Sequence, residues 1–196
     1  MVQAIKMKCP YCGAAITSEV KVCEYCDNPV IIQDIKEISN FTPVQVNQYI
    51  SSYTETLKEN PNNNLVNGSI ALCLLKLKLY DKAIEHFELA MSDNFENPDT
   101  YFYCCIAMLK GQKAFVAPRA TIDKIVEYLH AAQQLEQKPI YFYFEAYIKQ
   151  DYFKRKFLKV EPNFQDLLGT AQSMGLAPED KDLLFTLLGV DKPSVL

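Results

Sequence analysis

Apolar residues recur through most of the chain at the three- or four-residue spacing that places them on one face of an α-helix. The pattern is clearest from Leu65 to Met91, where a segment that is apolar nearly all round precedes a second segment carrying Ala83, Phe87 and Ala90. A helix with apolar side chains on all sides packs against neighbours on two sides. The pattern therefore predicts a helical hairpin, with its turn at Leu79–Lys82, inside a larger stack of helices.

Start and stop signals divide the rest of the chain into further helices. At Thr42 the hydroxyl can cap a helix, Pro43 suits the first helical position, and Gln45 can reach back to complete a capping box. Similar prolines, followed by glycine or polar residues one helix length later, predict five more helices. Their predicted starts are Pro98, Pro118, Pro139, Pro162 and Pro178, and their predicted ends lie near Gly111, Gln134, Lys149, Gly175 and Gly189.

Small and aromatic residues of the hairpin occupy the positions of a unit of about 34 residues. The small residues are Ala71, Ala83 and Ala90, and the aromatic residue is Phe87. This arrangement resembles a tetratricopeptide repeat, a family in which small residues let paired helices cross closely and an aromatic side chain fills the gap to the next pair. Further units begin near Tyr101 and Phe142, so the resemblance covers residues 43–160.

The resemblance implies an array of antiparallel helical hairpins whose concave groove holds a peptide or helix of a partner protein. One subtype of the family grips a C-terminal carboxylate with Lys, Asn and Arg, but the corresponding positions here carry none of these residues. Aromatic side chains are therefore the candidate walls of a groove, although the same spacing also fits core side chains. The candidates are Phe102, Tyr103, Tyr141 and Tyr143.

A basic cluster lies between Lys149 and Lys159 and consists of Lys149, Lys154, Arg155, Lys156 and Lys159. A cluster of this kind forms either a solvated face or a contact for an acidic partner. For the second role the candidate residues are Lys154, Arg155 and Lys156.

Four cysteines near the N-terminus form two Cys-x-x-Cys turns, Cys9 with Cys12 and Cys23 with Cys26. Each turn points two thiolates at one ion, and two turns complete tetrahedral coordination by four sulfurs. The pattern resembles a short zinc ribbon and implies one structural Zn²⁺ ion with no open coordination position. An iron–sulfur cluster or a rubredoxin-like iron site uses the same ligands and stays open as an alternative.

The residues around the cysteines refine this prediction. Gly13 and Asn28 stand where the two turns need a left-handed or flexible backbone. A redox Cys-x-x-Cys motif occurs singly at a helix start within a βαβ pattern, which is missing here. The β-favouring run Val30–Ile32 closes the module. The remaining cysteines, Cys73, Cys104 and Cys105, lie in apolar helices and are expected to be buried thiols.

Composition narrows the classes of function. The chain has 196 residues and a formal net charge of −4, which makes the whole molecule a poor electrostatic match for nucleic acid or an anionic membrane. No secretory signal or membrane-spanning run is recognised, so we expect a cytoplasmic protein. No phosphate-binding loop, nucleophile elbow or zinc-protease motif occurs in the sequence, so we expect no enzymatic activity.

The sequence thus predicts a mainly α protein: an antiparallel, tetratricopeptide-like array of helical hairpins behind a small N-terminal β zinc ribbon. The expected divisions are 1–32 for the ribbon, 33–41 for a connector, 42–160 for the repeats and 161–196 for a C-terminal helical cap. The expected function is that of a non-catalytic adaptor that binds a partner protein. The alternative is a regulator whose ribbon contacts DNA or RNA.

Overall fold

Helices dominate the computed structural model, which describes residues 5–92 and 97–196. Within those ranges the chain forms one antiparallel pair of strands and eight α-helices, and it divides into two compact units, Met1–Phe95 and Glu96–Leu196. In the first unit the elements are β1 (Lys6–Lys8), β2 (Ala15–Thr17), α1 (Pro43–Glu59), α2 (Asn64–Lys76) and α3 (Tyr80–Ala90). In the second they are α4 (Pro98–Met108), α5 (Arg119–Leu135), α6 (Pro139–Ile148), α7 (Phe164–Ser173) and α8 (Pro178–Leu188).

The four-cysteine module occupies the start of the first unit and carries little regular structure of its own. β1 and β2 pair in antiparallel register, with Met7 opposite Ile16, and one isolated bridge joins Val22 to Pro29. The run Val30–Ile32 is buried but is not a strand. The Val30 N–H bonds to the Lys21 carbonyl oxygen, whereas the Val30 carbonyl oxygen and both backbone groups of Ile32 bond to side chains of α1 and α2. A short 3-10 helix at Ile35–Ile38, with both isoleucines buried, leads from the module to α1.

Helix α1 starts as its capping signals predict. The side-chain oxygen of Thr42 accepts from the backbone N–H of Gln45, the Gln45 side chain accepts from the backbone N–H of Thr42, and Pro43 is the first helical residue. α1 then packs on α2, and α2 packs on α3. The packing of α2 and α3 confirms a helical hairpin.

The hairpin turn lies earlier than the sequence predicts. α3 begins at Tyr80, so the turn is Leu77–Leu79 and not Leu79–Lys82. Its central residue, Lys78, has the left-handed backbone (φ 58°) that closes a helix when the next N–H bonds back five residues, here from Leu79 to the Leu74 carbonyl oxygen. A lysine at this position carries no local signal of a turn, and the prediction missed it for that reason.

The second unit is a stack of helices in which α4 packs on α5, α5 on α6 and α6 on α7, while α8 contacts α4 and α6. α4 and α6 are buried nearly all round, as a helix between two neighbours must be. α6 does not stop at Lys149: it continues through a π-helical turn (Lys149–Phe153) and a 3-10 turn (Lys154–Lys156). α7 starts at Phe164, capped by Asn163, so Pro162 precedes the cap instead of opening the helix.

The described helices were compared in length and hydropathy with the span of a bilayer. None of them is both long enough and apolar enough to cross a bilayer.

Candidate metal centre and partner surfaces

The four cysteine sulfurs of the N-terminal module converge on one point. All four Sγ atoms lie within 4.8 Å of one another, and the Cys9–Cys26 and Cys12–Cys23 sulfur pairs are each 3.7 Å apart. A regular tetrahedron with zinc–sulfur bonds of about 2.3 Å has edges of about 3.8 Å. Two of the six sulfur–sulfur distances match this edge and none exceeds 4.8 Å, so the four sulfurs could hold a metal ion.

The two Cys-x-x-Cys turns are built alike. In each, the N–H of the first cysteine bonds to the carbonyl oxygen five residues on, from Cys9 to Ala14 and from Cys23 to Asn28. The left-handed residue directly follows the second cysteine in both turns: Gly13 (φ 79°) and Asp27 (φ 54°). Gly13 is thus placed as predicted, but in the second turn the left-handed residue is Asp27 and not Asn28.

Asn28 has a different role beside the metal ligands. Its side-chain amide donates to the Cys26 carbonyl oxygen at 2.8 Å, which fixes the loop after the second turn. Burial alone raises the pKa of the Cys26 thiol, but hydrogen bonds from the Asn28 backbone and side chain outweigh it, together with the Cys12 and Cys9 thiols, and lower this pKa to about 7. Burial raises the pKa of the Cys9 thiol to about 12. The site thus contains one thiol that ionises readily and one, Cys9, whose burial disfavours the thiolate unless a cation lies nearby.

Hydrogen bonds from the helices anchor the module. Tyr49 and Tyr53 on α1 donate to the carbonyl oxygens of Pro29 and Val30, each at 2.8 Å. Ser69 on α2 accepts from the Ile32 N–H at 3.1 Å and lies 2.9 Å from the Ile32 carbonyl oxygen. Helical spacing places Tyr49 and Tyr53 on one face of α1 but does not identify their partners, although a buried tyrosine hydroxyl in general needs one.

A groove lies between the module and α1. It has a volume of about 810 Å³, with the segment Lys6–Gly13 as one wall and one face of α1 as the other. The Gln48 side-chain amide donates to the Tyr11 carbonyl oxygen at 2.6 Å and so joins the two walls. The α1 wall consists of Gln48, Ser51, Ser52, Glu55, Thr56 and Glu59.

The four aromatic residues predicted to line a groove are buried in the second unit. Phe102, Tyr103, Tyr141 and Tyr143 are 6%, 5%, 0% and 0% exposed, and Phe102 packs against Tyr103, Tyr141 and Phe144 in the core of the second unit. Tyr141 also donates a 2.6 Å hydrogen bond to Asp99. Buried rings cannot form the surface that a partner meets, so these four residues are core residues. Periodicity could not show this, because α4 and α6 are apolar on all sides.

The basic candidates Lys154, Arg155 and Lys156 do lie at the surface, in the 3-10 turn that ends the α6 segment. Arg155 pairs with Asp151 at 2.6 Å and stacks on the Phe115 ring. Phe157, which directly follows, is 94% exposed, although no motif in the sequence marks it as a surface residue.

Comparison with known proteins gives no family for this chain: it matches no protein-family model and no curated protein.

Proposed function

We propose that this chain is a non-catalytic adaptor that holds an extended, polar segment of a partner protein in the groove between the four-cysteine module and α1. The observation that carries the proposal is the groove itself. Its volume of about 810 Å³ is that of a cleft able to hold a drug-sized ligand, for which the range is about 300–1,000 Å³. Lys6 and Lys8 on one wall face Glu55 and Glu59 on the other, so both signs of charge are available to a peptide.

The backbone of β1 adds to this argument. Hydrogen bonds from Cys9 to Ala14 and from Ser18 to Ile5 fix which residues of β1 bond to β2. Because bonded and non-bonded pairs alternate in an antiparallel ladder, Lys6 points its backbone N–H and C=O away from β2. A partner segment that enters the groove in extended form can pair with these groups, as in strand addition to a sheet edge.

We further propose that the metal is one structural Zn²⁺ bound by Cys9, Cys12, Cys23 and Cys26. Four thiolates complete the coordination of zinc and leave no position for substrate or water. Zinc then fixes one wall of the groove, and a reducing compartment such as the cytoplasm keeps the four thiols available for it. The ratio of zinc to iron in protein purified without added metal tests this assignment.

For the helical hairpins we propose a tetratricopeptide-like arrangement. Its support is the packing of α2 on α3 together with the buried small and aromatic residues Ala71, Ala83, Phe87 and Ala90, which occupy the positions that such repeats reserve for them.

The test of the adaptor function uses a matched pair of variants on α1. Ser51 and Thr54 are both exposed, and both hydroxyls donate to the carbonyl oxygen four residues earlier, but only Ser51 lines the groove. Tagged, zinc-loaded protein is used to capture partners from its native cells, with and without nuclease. The captured protein is then purified and its affinity measured directly.

We expect Ser51→Arg to weaken binding of that purified partner at least about tenfold, because a long cation fills the groove. Thr54→Arg adds the same charge outside the groove and is expected to bind like the parent. Equal binding of the partner by Ser51→Arg and Thr54→Arg would show that the groove is not the binding site. Loss of the captured material on nuclease treatment would contradict the adaptor function.

A nucleic-acid-associated function is the second candidate, favoured by one observation. On the second cysteine turn Tyr25 is 68% exposed beside the exposed Lys21, a combination that can stack and neutralise a single strand. Exposed Glu24 and Asp27 on the same turn oppose it. Nuclease-sensitive retention that Tyr25→Ala abolishes would establish this candidate over the adaptor.

A further inference from the structure

The α6 segment ends in a way that is unfavourable for the fold. Its last turn closes with Phe157 in the left-handed conformation (φ 58°, ψ 28°), where Phe157 N–H bonds to the Lys154 carbonyl oxygen and Leu158 N–H to that of Phe153. Glycine is the usual residue at this position, because a Cβ atom is strained at positive φ. The chain itself uses glycine in the corresponding position after α7 and α8, at Gly175 and Gly189.

The side chain of Phe157 gives the fold no packing in return. The residue is 94% exposed, the largest exposed fraction among the large apolar residues at the described surface. A strained backbone that carries a bulky, solvent-exposed aromatic ring is a pattern of functional sites and not of stable cores. Leu158, 41% exposed, extends the apolar surface by one residue.

Basic residues flank Phe157 in the chain, and three of their side chains are held in place by contacts with the fold. The Lys154 ammonium lies 4.5 Å from the centre of the Phe164 ring, and the Lys156 ammonium lies 3.9 Å from that of Tyr152. Arg155 is tied to Asp151, and Lys159 is exposed. Cation–π contacts pre-order the lysines, so less side-chain entropy is lost when an anion binds them. We call Lys154–Lys159 the Phe157 patch.

We propose that the Phe157 patch docks an acidic amphipathic segment of a partner protein, with the Phe157 ring packed between apolar side chains of that segment and the lysines paired with its carboxylates. The positive charge of the patch favours an acidic segment. The exposed Phe157 ring favours a segment that also carries apolar side chains. The site lies in the second unit and is independent of the groove beside α1.

A lipid surface fits these observations less well. A chain of net charge −4 is repelled by an extended anionic surface, whereas a short segment meets only the local positive charge. Stable membrane anchoring also needs more apolar insertion than one ring provides.

The backbone of Phe157 allows a test in which loss of binding cannot come from unfolding. Phe157→Gly relieves the left-handed strain, and we expect it to raise the melting temperature by about 2–4 °C. Lys78→Gly is the matched control, because Lys78 is exposed and occupies the same left-handed position in the turn after α2. We expect both variants to be stabilised but only Phe157→Gly to lose binding.

The probe is a displayed library of random peptides of about 15 residues, long enough to form a helix on binding. The library is selected on the full zinc-loaded chain and depleted on Phe157→Gly. We expect the surviving peptides to be enriched in Asp and Glu together with Leu, Ile or Phe. In fluorescence anisotropy they should bind Lys78→Gly like the parent, bind Phe157→Gly at least about tenfold more weakly, and lose affinity as salt rises.

The proposal would be overturned if the surviving peptides were not acidic, or if they bound Phe157→Gly and the parent with equal affinity. It would also be overturned if the selection yielded no peptides while the chain sedimented with phosphatidylserine vesicles in a Phe157-dependent way. Ser51→Arg is measured against the same peptides. We expect its affinity to be unchanged, so that failure of the groove and failure of the Phe157 patch are distinguished.

Discussion

The Tyr53 hydroxyl donates to the Val30 carbonyl oxygen across 2.8 Å, and this bond joins the centre of α1 to the segment that follows the four-cysteine module. Both residues are fully buried. Burial raises the pKa of Tyr53 well above its ordinary value, so the hydroxyl remains a proton donor throughout the usual pH range. The bond occupies a backbone acceptor that belongs to no strand.

We expect Tyr53→Phe to lower the free energy of unfolding by about 1–3 kcal/mol, because the Val30 carbonyl oxygen is then buried without a partner. Urea unfolding followed by circular dichroism measures the change. Tyr25→Phe serves as the control: Tyr25 is 68% exposed, and we expect a change within about 0.5 kcal/mol. An unchanged stability for Tyr53→Phe would show that the carbonyl finds another partner.

Metal removal is expected to act locally. The described part of the module contains two three-residue strands around the first cysteine turn and one bridge around the second, so we expect it to depend on a bound ion for its structure. We expect a chelator to increase amide hydrogen exchange in residues 5–28, while the amides of α8 keep their protection. The Cys9→Ser/Cys12→Ser variant should show the same exchange pattern without chelator and no bound zinc. If amide exchange in residues 5–28 were the same with and without chelator, the result would contradict a structural metal.

The sequence predicted most of what local chemistry controls. Thr42, Pro139 and Pro178 mark helix starts correctly, because a cap or a proline acts within one turn. The spacing of the four cysteines likewise identified a site whose sulfurs converge. What depends on distant partners was missed. The carbonyl oxygens of Pro29 and Val30 bond to tyrosines some 20 residues away, and the groove needs the module and α1 together.

Left-handed residues were the other limit of the sequence prediction. Glycine signals them at Gly13, but Asp27, Lys78 and Phe157 adopt the same conformation without any such signal. At Lys78 the consequence was a misplaced turn. At Phe157 it was an overlooked surface, because nothing in the sequence separates this ring from the many aromatic residues of the core.

A buried charge cluster in the second unit predicts that removing one charge destabilises the protein more than removing both. Glu145, 1% exposed, accepts from His130 and Gln133 and lies 3.5 Å from the ammonium of Lys149, itself 6% exposed. Glu145→Leu leaves the Lys149 charge buried and unpaired, so we expect a loss of about 3–5 kcal/mol in the free energy of unfolding. Adding Lys149→Met should restore most of it. Urea unfolding of both single variants and the double variant measures the coupling, and additive losses would show that the two charges do not interact.

Cys73 predicts a dependence of stability on alkaline pH. Burial raises the pKa of its thiol from 9.0 to about 12, with Lys76 opposing. Because the folded pKa lies above the unfolded one, the stabilisation is complete below pH 9 and is lost as pH rises toward 12. The loss is about 1 kcal/mol per pH unit for one thiol. We expect Cys73→Ala to be less stable than the parent at neutral pH. Above pH 9 its free energy of unfolding should fall less steeply than that of the parent. Subtracting the two curves of unfolding free energy against pH removes the titration of groups that both proteins share. Parallel curves for the variant and the parent would contradict the raised pKa of Cys73.

Two helical glycines offer a test of how closely α2 and α3 cross. A Cβ atom added at Gly68 on α2 meets the Ala90 Cβ on α3 at 3.8 Å, an ordinary contact, whereas one added at Gly169 on α7 meets nothing within 4 Å. Alanine is favoured over glycine inside a helix by about 0.5–1 kcal/mol. We expect both Gly68→Ala and Gly169→Ala to stabilise the protein by this amount in urea unfolding, with the larger gain at Gly68 because its new methyl group is packed. If Gly68→Ala instead destabilises while Gly169→Ala stabilises, the hairpin crosses more tightly than 3.8 Å implies, as in a repeat whose helices require glycine at the contact.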